Sequence, residues 1–225
     1  DPMPSSLLKH CAAELTPALT HIFNSSLTSG SFPSSFKPAC VKPILKKATL
    51  DPSCLSNYRP VSLLPIASNI LERIVFSHIM NSFALHNTIS LCQHGFMRNR
   101  SCQTNLVAFY EEVSRNLDAG MAVDVIYLDF AKAFDTVPHR RIMIKLRNIG
   151  LEHNICNWIE NWLKDRVQRV VVNGTFSNWT SVVSGVPQGS APLGCAMPPA
   201  VFQDFINYIF HDKLQSCLVV YLDDI

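Results

Sequence analysis

An α+β fold, a sheet with helices packed on one face, is what this sequence of 225 residues predicts. Three observations carry that expectation. Apolar residues recur at helical spacing over 7–27, 66–83 and 101–117. Short β-rich runs at 39–45, 122–128, 166–172, 176–183 and 218–222 are interleaved with those helices rather than contiguous. Asn173-Gly174 joins two of the runs as a strong hairpin signal.

In chain order, Leu7, Leu8, Cys11, Leu15, Leu19, Ile22, Phe23 and Leu27 mark a first helix, which Gly30 stops. The run 39–45 reads as an edge strand, because Pro43 has no N–H to donate to a neighbour. Lys46 and Lys47 follow it, and a polar loop is expected over 51–59. The next helix, 66–83, carries Ile70, Ile74, Val75 and Ile79. Ser101 can cap another, with Leu106, Tyr110, Val113 and Leu117 on its apolar face. After Gly120 comes the strand 122–128, then helices near 139–147 and 154–164 separated by Gly150. Trp158 and Trp162, four apart, are assigned to the core in preference to a base-stacking platform.

Composition narrows the classes. Hydrophobic residues make up 48% and charged residues 16%, which excludes a disordered tail. Nineteen Lys and Arg against seventeen Asp and Glu leave +2, so any electrostatic footprint must be local. No apolar run is long enough to span a bilayer and no signal-peptide pattern opens the chain, so the expectation is an intracellular protein without membrane contact. The eight cysteines form no C-x-x-C pair and are read mostly as small buried hydrophobes. Four N-x-S/T sequons are treated as chance, and no internal repeat occurs.

The chemistry lies at strand ends. One strand delivers Asp129 and another delivers Asp223 and Asp224. If the strands are neighbours, the carboxylates repel one another unless a cation lies between them. Mg²⁺ favours such oxygen ligands and pairs with substrate phosphates, and two ions about 4 Å apart can activate a hydroxyl and stabilise a leaving oxygen. Taken singly, Asp223-Asp224 reads more readily as a hairpin turn and Asp129 as a helix cap.

The flanking text favours the metal reading. YLDFAKAFD (127–135), SGVPQGS (184–190) and YLDDI (221–225), with NYRPVSLLPIASNILERIV (57–75) and QHGFMRNRSC (93–102) upstream, resemble in order and spacing a reverse transcriptase of the non-long-terminal-repeat, LINE-type, jockey-like retrotransposons. GSFPSSFKPACVKPILKK (30–47) extends the likeness toward the N-terminus. The resemblance implies right-hand polymerase fingers and palm over 57–225, an antiparallel palm sheet with packed helices, and an N-terminal extension over 1–56.

Its implied activity is RNA-directed DNA synthesis on an RNA template with a DNA primer and deoxynucleoside triphosphates. Two Mg²⁺ ions, with Mn²⁺ as the alternative, would be held by Asp129, the carbonyl of Phe130, Asp223 and Asp224. The resemblance assigns Arg59 to the triphosphate, Phe134 to a plate beneath the sugar, and Gln188 and Gly189 to the nascent base pair. It assigns Lys46, Lys47, Arg98 and Arg100 to nucleic-acid phosphates, against the plainer reading of exposed basic loops. Action in nucleus and cytoplasm follows from the family, and protein partners do not.

Two departures from the family pattern stand out. APLGCAMPPAVFQDFINYIF (191–210) runs a few residues long, and Pro198 and Pro199 would each cost about 3 kcal/mol inside a helix. Either a helix starts after Pro199 or an insertion shifts the template-side wall. The sequence also stops one residue past Asp224, so the expectation is a piece without the thumb. The competing expectation for that piece is an inactive remnant that only binds nucleic acid or protein.

Overall fold

The first apolar stripe folds as two helices rather than one, α1 (Ser5–His10) and α2 (Ala12–Ser29), in a computed structural model that describes residues 5–85, 94–95, 97, 99–125 and 132–188. Cys11 marks the break, yet its N–H reaches the Leu7 carbonyl and its own carbonyl accepts from Leu15, both at 3.0 Å. Pro17 lies inside α2 and withholds one intrahelical bond. Gly30 closes the helix, its N–H turned back to Leu27.

Three further helices pack with α2 around the core: α3 (Ile66–Leu85), α6 (His139–Asn148) and α7 (His153–Leu163). Between α3 and α6 in the sequence come α4 (Cys102–Asp118) and the single turn α5 (Ala133–Thr136). Trp158 and Trp162 are fully buried, as their spacing predicts. Neither indole N–H is stranded: Trp158 donates to Ser26 Oγ at 2.9 Å and Trp162 to Glu72 Oε1 at 3.1 Å. Phe32 meets Trp158 edge-on at 5.2 Å, and its own N–H donates to Asn161 Oδ1. Lys37 caps the far end of α7 by donating from Nζ to the Lys164 carbonyl at 2.9 Å.

A polar knot is sealed into this core. Ser68 donates to Glu72 Oε1 at 2.8 Å, and Arg166 donates to the Trp162 carbonyl while lying 5.3 Å over its ring. Burial pushes the Glu72 carboxyl above its ordinary range; hydrogen bonds from Ser68 and Trp162 and the Arg166 charge pull the other way. Burial likewise lowers Arg166 to about 10, with Glu72 opposing.

Among the described residues the sheet holds five strands: β1 (Ala39–Leu45), β2 (Tyr58–Leu63), β3 (Arg166–Val172), β4 (Thr175–Phe176) and β5 (Thr180–Val182). β2 pairs antiparallel with β1, β1 parallel with β3, and β3 antiparallel with β4 and β5. Asn173 and Gly174 turn β3 into β4 as expected, with φ of 48° and 79°. Positive φ at both positions is what a two-residue hairpin of matching twist requires. Beyond Phe176 the return arm slips by one residue. Val171 faces Phe176, whereas Gln168 faces Thr180, and Ser177 absorbs the slip by bonding Val170 through both its N–H and its hydroxyl.

Several expectations are corrected. β1 is an interior strand, paired on both sides at Cys40 and Val41. Pro43 is tolerated because it faces Pro60 beyond the stretch paired with β3. Ser62, opposite Val41, sends its N–H away from β1. The pair two residues on, Pro43 with Pro60, therefore also falls where neither N–H is needed between the strands. Tyr58–Leu63, expected in part as loop and otherwise unassigned, is the strand β2.

In α3 the buried stripe is Leu71, Val75, Ile79 and Phe83, while Ile70 and Ile74 are exposed. α4 has the Ser101 cap, with a reciprocal Thr104 bond, but buries no residue, so Leu106, Tyr110 and Leu117 stay exposed. Residues 121–125 are not strand, and the remainder of the expected 122–128 strand lies outside the described residues. Of the five described cysteines, all free, only Cys156 is buried. No helix among the described residues is long and apolar enough to cross a membrane.

Candidate functional site

The segment 184–188 ties three parts of the chain together. Val186 donates its N–H to the Phe134 carbonyl at 2.7 Å, and Gly185 donates to the Val137 carbonyl at 2.9 Å. The Ser184 hydroxyl donates to the Asp135 carbonyl at 3.0 Å, and His139 Nε2 lies 2.7 Å from the Gly185 carbonyl oxygen. Four contacts thus clamp this segment onto α5 and the start of α6. Farther along, the Gln188 carbonyl accepts the Ser62 N–H at 2.6 Å, docking the segment onto the outer edge of β2.

Gly185 makes the clamp possible. Its φ is +79°, and a Cβ there would lie 2.5 Å from the Phe134 carbonyl oxygen and 2.7 Å from the Asp135 backbone. Only a residue without a side chain fits both the conformation and the approach. Val186 beside it is buried in the core, which anchors the segment from below.

The clamp places Phe134 and Gln188 on one continuous scaffold with the strand that carries Arg59. Phe134 is half-buried, with part of its surface against the core. Arg59 is exposed on β2 opposite Ile44 of β1. Lys46 and Lys47 continue β1 just past that point, exposed, with the Lys46 N–H donating to the Asn57 carbonyl at 2.8 Å. Those three cations therefore gather at one end of the β1–β2 pair. Asp135 is exposed, yet desolvation by its neighbours raises its carboxyl above the usual range, against the pull of Lys132.

Arg100 stands elsewhere, at the start of α4, half-buried. Desolvation lowers the pKa of His94 and the Arg100 charge lowers it further, while the His94 ring lies 2.9 Å from the Thr104 hydroxyl. Asp129, Phe130, Asp223, Asp224, Gly189 and Arg98 lie outside the described residues. Among the described residues no three His, Cys, Asp or Glu side chains gather as a cation site. Sequence reasoning gave no role to Ser184, Gly185, Val186 or His139. The glycine two residues before Pro187 was the available signal, since a fixed close approach is one reason for glycine in such a turn.

Comparison with known proteins bears on this arrangement. Residues 44–225 match the family described as reverse transcriptase (RNA-dependent DNA polymerase). The chain is 30% identical over 175 residues to the RNA-directed DNA polymerase from mobile element jockey of Drosophila melanogaster, covering 76% of this chain and 19% of that protein. It is 26% identical over 209 residues to the probable RNA-directed DNA polymerase from transposon BS of the same fly, covering 92% of this chain and 23% of that one. A type-1 retrotransposable element R2 polyprotein of Popillia japonica is 27% identical over 152 residues, 67% of this chain and 21% of the relative. The chain thus spans about a fifth of the length of the curated relatives it matches. With its ordered motifs, mixed α+β architecture and matched span of 44–225, the chain belongs to the reverse transcriptase family.

Proposed function

We propose that this chain is the fingers and palm portion of a retrotransposon RNA-directed DNA polymerase, adding deoxynucleotides to a DNA primer on an RNA template. The observation that carries the reading is the clamp from Ser184 to Gln188. It holds Phe134, Gln188 and the Arg59 strand in fixed relation, as a site that must position an incoming nucleotide requires.

Each residue then has a task. Arg59 offers a planar donor fork to triphosphate oxygens, with Lys46 and Lys47 adding charge for phosphates nearby. Phe134, held through its backbone by Val186, presents a ring beneath the sugar and leaves no room for a 2′-hydroxyl. Gln188 and Gly189 face the nascent base pair, and Arg98 and Arg100 steady template phosphates. Asp129, Asp223 and Asp224, with the Phe130 carbonyl, offer oxygen donors alone, the chemistry Mg²⁺ prefers. Bound there, divalent ions supply a more acidic primer hydroxyl and charge stabilisation for the leaving pyrophosphate.

The residue-level reading is tested by single-nucleotide incorporation with Phe134→Val. A raised ribo-to-deoxynucleotide ratio is expected. An unchanged ratio would remove Phe134 from the sugar site.

A further inference from the structure

We infer that the outward face of the sheet binds single-stranded nucleic acid, stacking bases on Trp179 and Phe176 beside the charge of Lys42 and Arg169. The inference rests on the polymerase reading only for the class of ligand; the surface lies apart from the clamp that holds Phe134 and Gln188 and meets the proposed nucleotide site at Arg59.

Strand register defines the face. Cys40, Lys42 and Ile44 of β1 stand opposite Leu63, Val61 and Arg59 of β2, and Cys40 pairs with Arg169 of β3. Paired residues share a face, so these side chains lie together, with Val171 and its partner Phe176 continuing the row. On β1 and β2 the alternate residues Ala39, Val41 and Ser62 are buried on the other side, whereas on β3 the alternates Val170 and Val172 are exposed too and Arg169 is half-buried. The outward row stays open, with Ile44, Leu63, Phe176 and Trp179 each between 46% and 51% exposed.

Charge picks the ligand. None of the five strands carries Asp or Glu, while Lys42, Arg59 and Arg169 all fall on the outward row. The outward row thus presents three cations with no acidic side chain in the strands beside them. Half-exposed aromatic rings among cations fit a polyanion with planar faces better than an acidic protein surface, because bases stack on rings irrespective of sequence.

The rings are also fixed in place. The Arg169 guanidinium carbon lies 3.9 Å from the Phe176 ring centre and 4.5 Å from that of Trp179, so one cation orients both. The one-residue slip at Ser177 sets Trp179 where the arginine can reach it. From β2 across to β4 the sheet spans about 15 Å, room for a short run of nucleotides.

The test is anisotropy of a labelled single-stranded RNA and of an abasic strand of the same length and charge. The unaltered chain should bind the RNA more tightly. Trp179→Ala should lose about tenfold and narrow the difference between the two strands, the remainder resting on Phe176. Trp179→Phe should restore the preference, which separates loss of a ring from loss of the fold. Lys42→Gln should lower the salt slope of binding by about one. The proposal is overturned if Trp179→Ala binds RNA as the unaltered chain does, or if the abasic strand already binds equally well. Primer extension lost in Asp129→Ala with this binding pattern intact would support both readings. No extension by the unaltered chain with the pattern intact would reject only the polymerase reading.

Discussion

The helical half of the molecule and its sheet differ in what they do with large side chains. Around α7 the two tryptophans are fully buried and each indole N–H has a partner. On the outward face of the sheet Trp179 is 47% exposed and stacked on an arginine. The same residue type thus serves as a keystone in one region and as a presented surface in the other. The helical half carries most of the buried core, and the sheet with its docked turn carries the groups proposed for recognition.

The largest expected effect breaks the core side of that contrast. Trp162→Ala removes a buried indole and strips Glu72 of a donor, and should cost about 3–5 kcal/mol in urea unfolding. Trp179→Ala, at the exposed end, should cost about 1 kcal/mol, the scale of a partly exposed cation–π contact. Equal losses would erase the distinction between the regions.

Gly185→Ala comes next and probes the seam between them. The new Cβ meets backbone that cannot swing aside, at a positive φ, so about 1–3 kcal/mol should be lost. Nucleotide addition should fall further than stability does, since Phe134 and Gln188 are held through this segment. Parallel losses of activity and stability would reduce the clamp to a packing feature.

The smallest effect is a pH dependence. The folded chain holds a proton on Glu72 to higher pH than the unfolded chain does, because burial raises the carboxyl from 4.5. Stability therefore falls as pH rises from that ordinary value through the raised one, then levels off. Glu72→Gln keeps an acceptor for Ser68 and Trp162 and should flatten this part of the curve. A slope unchanged by the substitution would assign the dependence to another group.

How much of this the sequence revealed follows from the range of the interactions. Helices α6 and α7, the Ser101 cap and the Asn173-Gly174 turn depend on residues close in sequence, and each was legible. β2 was not, because Arg59 and Pro60 mask its pattern and its strand character comes from pairing with β1. The interior position of β1 likewise depends on β3, more than a hundred residues away. Phe134 and Gln188 could be picked out by their motifs, but the clamp joining them to β2 runs through backbone groups that any sequence carries. The α4 stripe of Leu106, Tyr110 and Leu117 predicted burial correctly as a pattern and incorrectly as an outcome, since a helix face is buried only where another surface meets it.

The most direct test is extension of a DNA primer on an RNA template in Mg²⁺, with the chain unaltered and with Asp223→Ala. The account predicts templated deoxynucleotide addition by the unaltered chain and none by the variant. Addition that survives the substitution, or none from an unaltered chain that binds the primer–template, would contradict it.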